Sequence, residues 1–358
     1  MLSTLPDYLL YMLATAVSAV ISLYAVKKII FIARERKIFD VPDNVRKIHG
    51  EEIPSLGGIG VFVGYIATIP YFIQHAGTGW EVIITSTVIL FFTGIYDDLM
   101  NMRPSKKLLA QFIAAFLTVK FADMRIVSLY GCMGIDTLPY WVSVGLTTFC
   151  CTFFINVFNF IDGIDGLAGM LAVLYCGVLG LLFIQTGHSM EACISFSLLG
   201  ATIGLLYYNY SPARIYMGDT GSMLSGFTIF ILSIFYVRFM WTTPIVLKAS
   251  SAFMLAVAIL FYPVFDALRV FILRAKNGIS PLKADRRHLH YYLLDSGMSH
   301  AATAWLITGI NALTIALAVL LAPTMHFSVV LPIISIPSVV LAIVGHRMSK
   351  RKLTTNRP

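Results

Sequence analysis

Apolar residues fall along this chain in long unbroken blocks separated by short polar stretches, the pattern of helices that cross a bilayer. Such a crossing takes about 20 apolar residues, fewer where neighbouring helices cover the ends. Eleven blocks qualify, over residues 8–26, 53–74, 82–96, 108–122, 138–158, 166–186, 192–210, 220–237, 249–272, 301–321 and 327–346. The fourth is short and the ninth long. The fold class expected is therefore all-α, a polytopic integral membrane protein of about eleven transmembrane helices. The first block lacks a basic leader region and reads as a span rather than a cleaved signal. Residues 125–140 (RIVSLYGCMGIDTLPY) mix β-branched residues with two glycines and an aspartate, which predicts a short hairpin outside the membrane. No repeat or low-complexity linker divides the chain. One domain over 1–358 is expected, ending in a basic tail at 346–358.

Composition agrees: 58% of the 358 residues are hydrophobic and 12% charged, against about a quarter charged in ordinary soluble proteins. The net charge of +8 means something different once it is placed on the loops. With the N-terminus outside and the C-terminus cytoplasmic, 22 of the 26 Lys/Arg fall on inner segments, and only Lys120, Arg125, Arg238 and Lys248 lie outside. The basic excess is thus a topology signal, and the tail Arg347, Lys350, Arg351 and Lys352 is suited to anionic membrane lipids. No nucleic acid is implied. Five cysteines (Cys132, Cys150, Cys151, Cys176 and Cys193) lack CxxC spacing and read as packing residues.

The acids avoid the middle of the spans. Asp97 and Asp98 end the third block, Asp162 and Asp165 follow the fifth, Asp219 follows the seventh, and His288 and His290 follow the ninth. All these blocks are odd-numbered, so every cluster arrives at the same, inner face. A transporter places charge near the midplane. A site at the boundary suits a reaction between a soluble molecule and an amphiphile held in the leaflet.

Each cluster has a chemical reading beside a bland one. Asp97-Asp98 is unfavourable with its own helix dipole, which argues against capping and for a hard cation such as Mg2+; the alternative is a solvated helix end. In NVFNFIDGIDGLAG, Asn156, Asn159, Asp162 and Asp165 alternate with apolar anchors, although Asp-Gly is also an ordinary turn. Asp219 or Thr220 in MGDTGS reads as an N-cap, and the free N–H groups behind it suit phosphate. In DRRHLHYYL, histidines two apart point to opposite faces of a strand, or about 200° apart on a helix, so one meets substrate while the other supports the loop. The stretch also reads as a plain positive-inside loop. Gly60 and Gly64 have GxxxG spacing for close packing, and Asp266 with Arg269 forms a structural ion pair one turn apart.

The ordered set DD, NxxNxxDGxDGLAG, MGDxGS and DRRHLHYYL, together with Arg46-Lys47-Ile48-His49 and IPSLGG near the start, resembles the polyprenyl-phosphate N-acetylhexosamine-1-phosphate transferases over nearly the whole chain. The resemblance implies transfer of a sugar 1-phosphate from a UDP-N-acetylhexosamine to undecaprenyl phosphate with release of UMP. It also implies Mg2+, with Mn2+ as a substitute, a bacterial inner membrane with the site on the cytoplasmic face, and room for a homodimer. By position it implies Asp219, Asn159 and Asp98 at the metal, with Asp97 and Asp98 completing that environment or acting as base toward the lipid phosphate. Asn156, Asp162 and Asp165 would bind substrate in the nucleotide pocket, Lys107 would approach phosphate or uracil, and Arg274, His288 and His290 would hold the diphosphate and sugar. Asp97, Asp98, Asp219, Arg274 and His288 form the implied catalytic set. Where the MurNAc-pentapeptide branch carries three successive histidines, this chain reads His-Leu-His-Tyr-Tyr, which is closer to the GlcNAc-1-phosphate branch. The rival readings are that MurNAc-pentapeptide branch, a transporter of anionic solutes and a catalytically silent scaffold.

Overall fold

The computed structural model describes residues 6–38, 53–73, 79–131, 135–242, 249–280 and 286–355, and all regular elements among them are helices. In chain order these are α1 (Asp7–Glu35), α2 (Gly57–Thr68), α3 (Pro70–Ile73), α4 (Trp80–Met100), α5 (Pro104–Phe121), α6 (Tyr140–Ile161), α7 (Leu167–Gln185), α8 (Ser189–Asn209), α9 (Gly218–Thr242), α10 (Ala249–Lys276), α11 (Leu289–Asp295), α12 (His300–Leu321) and α13 (Phe327–Thr355). Each of the eleven apolar blocks lies on a helix. Nine of the described helices are long and apolar enough to cross a membrane.

The two blocks outside that set differ for local reasons. The second is interrupted by Pro70, which removes a backbone donor and leaves α2 with 12 residues. The fourth becomes α5, whose 18 residues begin PSKK and end near Lys120, too polar at both ends for a full apolar window. Conversely α1 runs past Val26 to Glu35, since residues 27–35 include no glycine or proline to stop it.

The bundle is arranged around α9. Between Asp219 in its first turn and Arg238 near its end the sequence is apolar on all sides, interrupted only by small and hydroxyl residues, and 83% of its most apolar window is buried, against 22% for α13 and 28% for α1. Helices α2, α4, α6, α7 and α10 pack around it. Close approach there depends on missing side chains: a Cβ on Gly94 of α4 would lie 2.4 Å from the Thr220 Cα, so only a glycine lets α4 reach the start of α9. The expected packing role of Gly60 and Gly64 is met by α1, where added Cβ atoms would lie 2.3 Å from Val26 Cγ2 and 2.7 Å from the Ser18 carbonyl oxygen.

The predicted hairpin is present in reduced form. Ser128 and Thr137 form an antiparallel bridge, and Leu129 and Leu138 donate to the Asp136 and Val127 carbonyls at 3.0 Å each. Behind it, Asp123 pairs with Arg125 at 2.7 Å and with Arg238 at 2.5 Å, joining the hairpin base to the end of α9. Cys150, Cys151, Cys176 and Cys193 are free thiols in packed surroundings; Cys132 lies outside the described residues.

Candidate active site

Chain direction gathers the acids. Helices α4, α6 and α10 reach one end of the bundle with their C-termini, while α5, α7, α9 and α12 begin there. Every sequence-predicted site residue lies at this end. Arg46, Lys47, His49, Lys283 and Asp285 fall outside the described residues.

Asp97 and Asp98 close α4 but point in different directions and have different partners. Asp97 is buried: Oδ1 accepts the Met102 N–H at 2.7 Å, and Oδ2 lies 2.8 Å from Lys107 Nζ. The same ammonium lies 2.8 Å from Asp219 Oδ2, so Lys107 is clamped between two carboxylates. The other Asp219 oxygen accepts from the Asn159 amide, which also donates to Ser222 Oγ at 2.7 Å. A second layer lies beneath: Asn156 donates to Gln111 Oε1 at 2.5 Å, and Gln111 Nε2 sits 3.0 Å from the Met223 sulfur.

Asp98 overturns the argument against capping. Its Oδ1 accepts the Asp219 N–H at 2.7 Å, and its Oδ2 accepts the Thr220 N–H at 3.0 Å and hydroxyl at 2.5 Å. The acid at an unfavourable helix C-terminus is thereby placed on the favourable N-terminus of another helix, where first-turn N–H groups lack partners within the helix. This also corrects the reading of MGDTGS as a self-capped phosphate seat, because two of its N–H groups are already engaged by Asp98. Gly218 makes the turn possible: its φ is +72°, and a Cβ there would meet the Ser55 carbonyl oxygen at 2.2 Å and the Asp98 oxygens at 2.9 and 3.0 Å.

Asp162 and Asp165 staple loops together. The Gly218 N–H donates to Asp162 Oδ2 at 3.1 Å, the Ala213 N–H donates to Asp165 Oδ2 at 3.2 Å, and His300 Nδ1 lies 3.3 Å from Asp165 Oδ1. Burial, reinforced by the Asp219 carboxylate, pushes Asp162 up to about 7 despite the Gly218 N–H. Burial acts in the same direction on Asp165, but the His300 imidazole and the Ala213 N–H outweigh it and hold that carboxyl below its ordinary value.

The histidines depart from the expected geometry. His288 precedes α11 with extended backbone and His290 lies in its first turn, so a uniform helical or strand period does not apply. Their rings stack at 5.5 Å with 7° between planes instead of pointing apart. His288 Nδ1 lies 2.9 Å from Asp266 Oδ2. His290 is fully buried, and its ring nitrogens have no hydrogen-bond partner among the described residues. Its Nε2 faces the DGIDG loop, 2.5 Å from where a Gly163 Cβ would stand. Burial, then the neighbouring His288, pushes His290 down to about 3, so it is neutral at physiological pH. Arg274 is buried in the last turn of α10. The expected Asp266–Arg269 ion pair is present at 2.8 Å.

The donor set fits a hard divalent cation. Asp97 and Asp219 direct carboxylate oxygens at one point now held by an ammonium, and the Asn159 side-chain amide meets Asp219 in the same cluster. Among the described residues no three acidic, histidine or cysteine side chains converge as a ready metal cage. Gln111, Ser222 and His300 were not singled out from sequence. Gln111 had a signal, one polar residue a helical turn after Lys107 in an apolar stretch; His300 had none.

Comparison with known proteins gives the same family as the motifs. Residues 80–237 match glycosyl transferase family 4. A Bacillus subtilis protein called probable undecaprenyl-phosphate N-acetylglucosaminyl 1-phosphate transferase is 29% identical over 75% of this chain and 73% of its own length. The decaprenyl-phosphate N-acetylglucosaminephosphotransferase of Mycolicibacterium smegmatis is 31% identical over 73% and 70% respectively. The undecaprenyl-phosphate alpha-N-acetylglucosaminyl 1-phosphate transferase of Escherichia coli K12 is 28% identical over 83% and 79%. A multi-pass membrane protein with its acids gathered at one end of the bundle, this chain belongs to glycosyl transferase family 4.

Proposed function

We propose that the protein transfers N-acetylglucosamine 1-phosphate from UDP-N-acetylglucosamine to undecaprenyl phosphate in a bacterial inner membrane, releasing UMP on the cytoplasmic side. The observation that carries this reading is the convergence of Asp97, Asp98, Asp162, Asp219 and Lys107 at helix ends instead of mid-span. A nucleotide sugar reaches such a site from water while the isoprenoid remains in the leaflet. The 22 inner Lys/Arg support the cytoplasmic assignment.

The reaction joins two anions. An oxygen of the lipid phosphate bonds to the sugar-linked phosphorus as the bond from that phosphorus to the UMP oxygen breaks, and the leaving UMP carries the electron pair away. Positioning and charge neutralisation dominate the catalysis of such a displacement. Lys107 and Arg274 supply fixed positive charge, and His288 supplies a ring nitrogen beside Phe160 at the end of α6. Asp98 is committed to α9 and Asp97 to the Met102 N–H and Lys107, so these contacts single out neither acid of the pair as the base toward the lipid phosphate. Asp219 and Asp97, with the Asn159 amide oxygen, would hold Mg2+ or Mn2+, which supplies Lewis-acid stabilisation of the phosphate oxygens. Among the described residues the hydroxyls beside the acids are engaged, Thr220 by Asp98 and Ser222 by the Gly218 carbonyl, and no cysteine lies with them, so a single displacement is favoured.

Purified protein should move radiolabel from UDP-N-acetylglucosamine to extracted undecaprenyl phosphate, and EDTA should stop it. Label transferred only from UDP-MurNAc-pentapeptide would reassign the donor. No transfer from either would defeat the reading, as would an isolated aspartyl phosphate for the single displacement.

A further inference from the structure

Asp266 does more than form the ion pair expected from its spacing with Arg269. It is fully buried in α10 and surrounded by donors. Oδ1 accepts from Arg269 at 3.1 and 2.8 Å and from the Leu289 N–H at 3.2 Å, while Oδ2 lies 2.9 Å from His288 Nδ1. The Arg269 guanidinium continues to the Arg287 carbonyl oxygen at 2.5 Å. Residues 287, 288 and 289 are therefore each held by one acid–arginine pair.

Two of these contacts explain the fold of the segment without the third. Arg269 on the Arg287 carbonyl and Asp266 on the Leu289 N–H would anchor the start of α11 whatever the side chain at 288. The contact at Nδ1 adds something specific to the ring. A carboxylate only accepts, so Nδ1 must carry a proton, and the tautomer is decided. The other edge, Nε2, is then the nitrogen left for a ligand. The ring is also fixed in plane, stacked on His290 and 5.8 Å from the Phe160 ring in the NVFNFIDG stretch. Partners of this kind, behind a functional histidine, orient the ring and set its proton.

We propose that Asp266 is a positioning residue for the transfer, acting through His288 by holding Nδ1–H and presenting Nε2 to the donor phosphates. This rests on the function proposed above. The groups around the ring are Asp266 and Arg269 from α10, His290 from α11 and Phe160 from α6.

The test uses the full-length protein in nanodiscs with 15N-labelled histidine, His288 being assigned by its loss in His288→Gln. The wild-type His288 resonance should show a protonated Nδ1. In Asp266→Asn the amide oxygen takes the Oδ1 place, opposite the Leu289 N–H and Arg269, so the amide nitrogen faces the ring and the proton should move to Nε2. Turnover of UDP-N-acetylglucosamine by Asp266→Asn should fall by about 10–100-fold, mostly in kcat. In a His288→Gln background the same change should cost less than about 3-fold, because the route through the ring is already lost. An equal loss in both backgrounds would mean that Asp266 acts only on the fold and would overturn the proposal. So would an unprotonated Nδ1 in the wild-type spectrum, a result that does not depend on Asp266→Asn folding. Absence of transferase activity in the wild type would instead defeat the functional reading, while the spectrum still decides the Asp266–His288 pairing.

Discussion

Replacing Asp98 separates a cap from a metal ligand. Asp98→Ala strips the acceptor from two backbone N–H groups and one hydroxyl at the start of α9, now served at 2.7, 3.0 and 2.5 Å. An unsatisfied buried donor costs about 1–3 kcal/mol, but Asp98 is half-buried and water replaces part of what is lost, so about 2–4 kcal/mol is expected for the three together. Asp98→Asn keeps one acceptor oxygen and loses the charge facing the helix dipole, for about 1–2 kcal/mol. Since the residue bonded to Asp98 is Asp219 itself, Asp98→Ala also displaces the acid proposed to bind the cation, whereas the acceptor oxygen kept by Asp98→Asn holds the Asp219 N–H in place. The assay pairs unfolding in detergent with turnover across a Mg2+ titration. Asp98→Asn should lower stability and kcat while its half-saturating Mg2+ stays within about 3-fold of wild type, whereas Asp219→Asn should raise it by about 10-fold or more. If Asp98→Asn unfolds like wild type but needs tenfold more Mg2+, the capping assignment is wrong and Asp98 ligates the metal.

Gly218→Ala should abolish turnover and lower the yield of folded protein, since its Cβ would stand 2.2 Å from the Ser55 carbonyl oxygen at φ +72°; near-normal activity would refute the tight turn. Lys107→Gln removes the ammonium 2.8 Å from both Asp97 and Asp219, so added Mg2+ should raise the unfolding temperature of this variant more than that of wild type, and equal shifts would argue against a shared cation point. For Asp162 the folded pKa, about 7, lies above the ordinary carboxylate value near 4. The stability this group contributes is present below about pH 4 and is lost as pH rises through about 7. In EDTA, Asp162→Asn should therefore flatten the decline in unfolding temperature between pH 5 and 8, and an unchanged slope would show that another group is responsible.

Much of the molecule can be read along one dimension. A backbone in hydrocarbon must satisfy its own hydrogen bonds, so a long apolar block implies a helix whatever its neighbours are, and all eleven blocks lie on helices. Helices that cross in alternate directions put the ends of odd-numbered blocks on one side, which is why the acids were gathered correctly before any contact was known. Block lengths departed from the helices at Pro70, in the lysine-bearing α5, and at the ends of α1 and α13, which run on past their apolar blocks.

Partner choice at the site required the tertiary structure. Asp97 and Asp98 are neighbours in sequence, yet the rotation of α4 against α9 sends one to Lys107 and the other to N–H groups 121 and 122 residues away. The same holds for the two histidines, which a regular period would separate and a helix start stacks together, and for Asp266, whose bond to His288 bridges 22 residues. Solvation of a span is a property of its own residues, whereas a hydrogen bond of 2–3 Å depends on the rotation and depth of two packed helices, and small packing residues such as Gly94 set these.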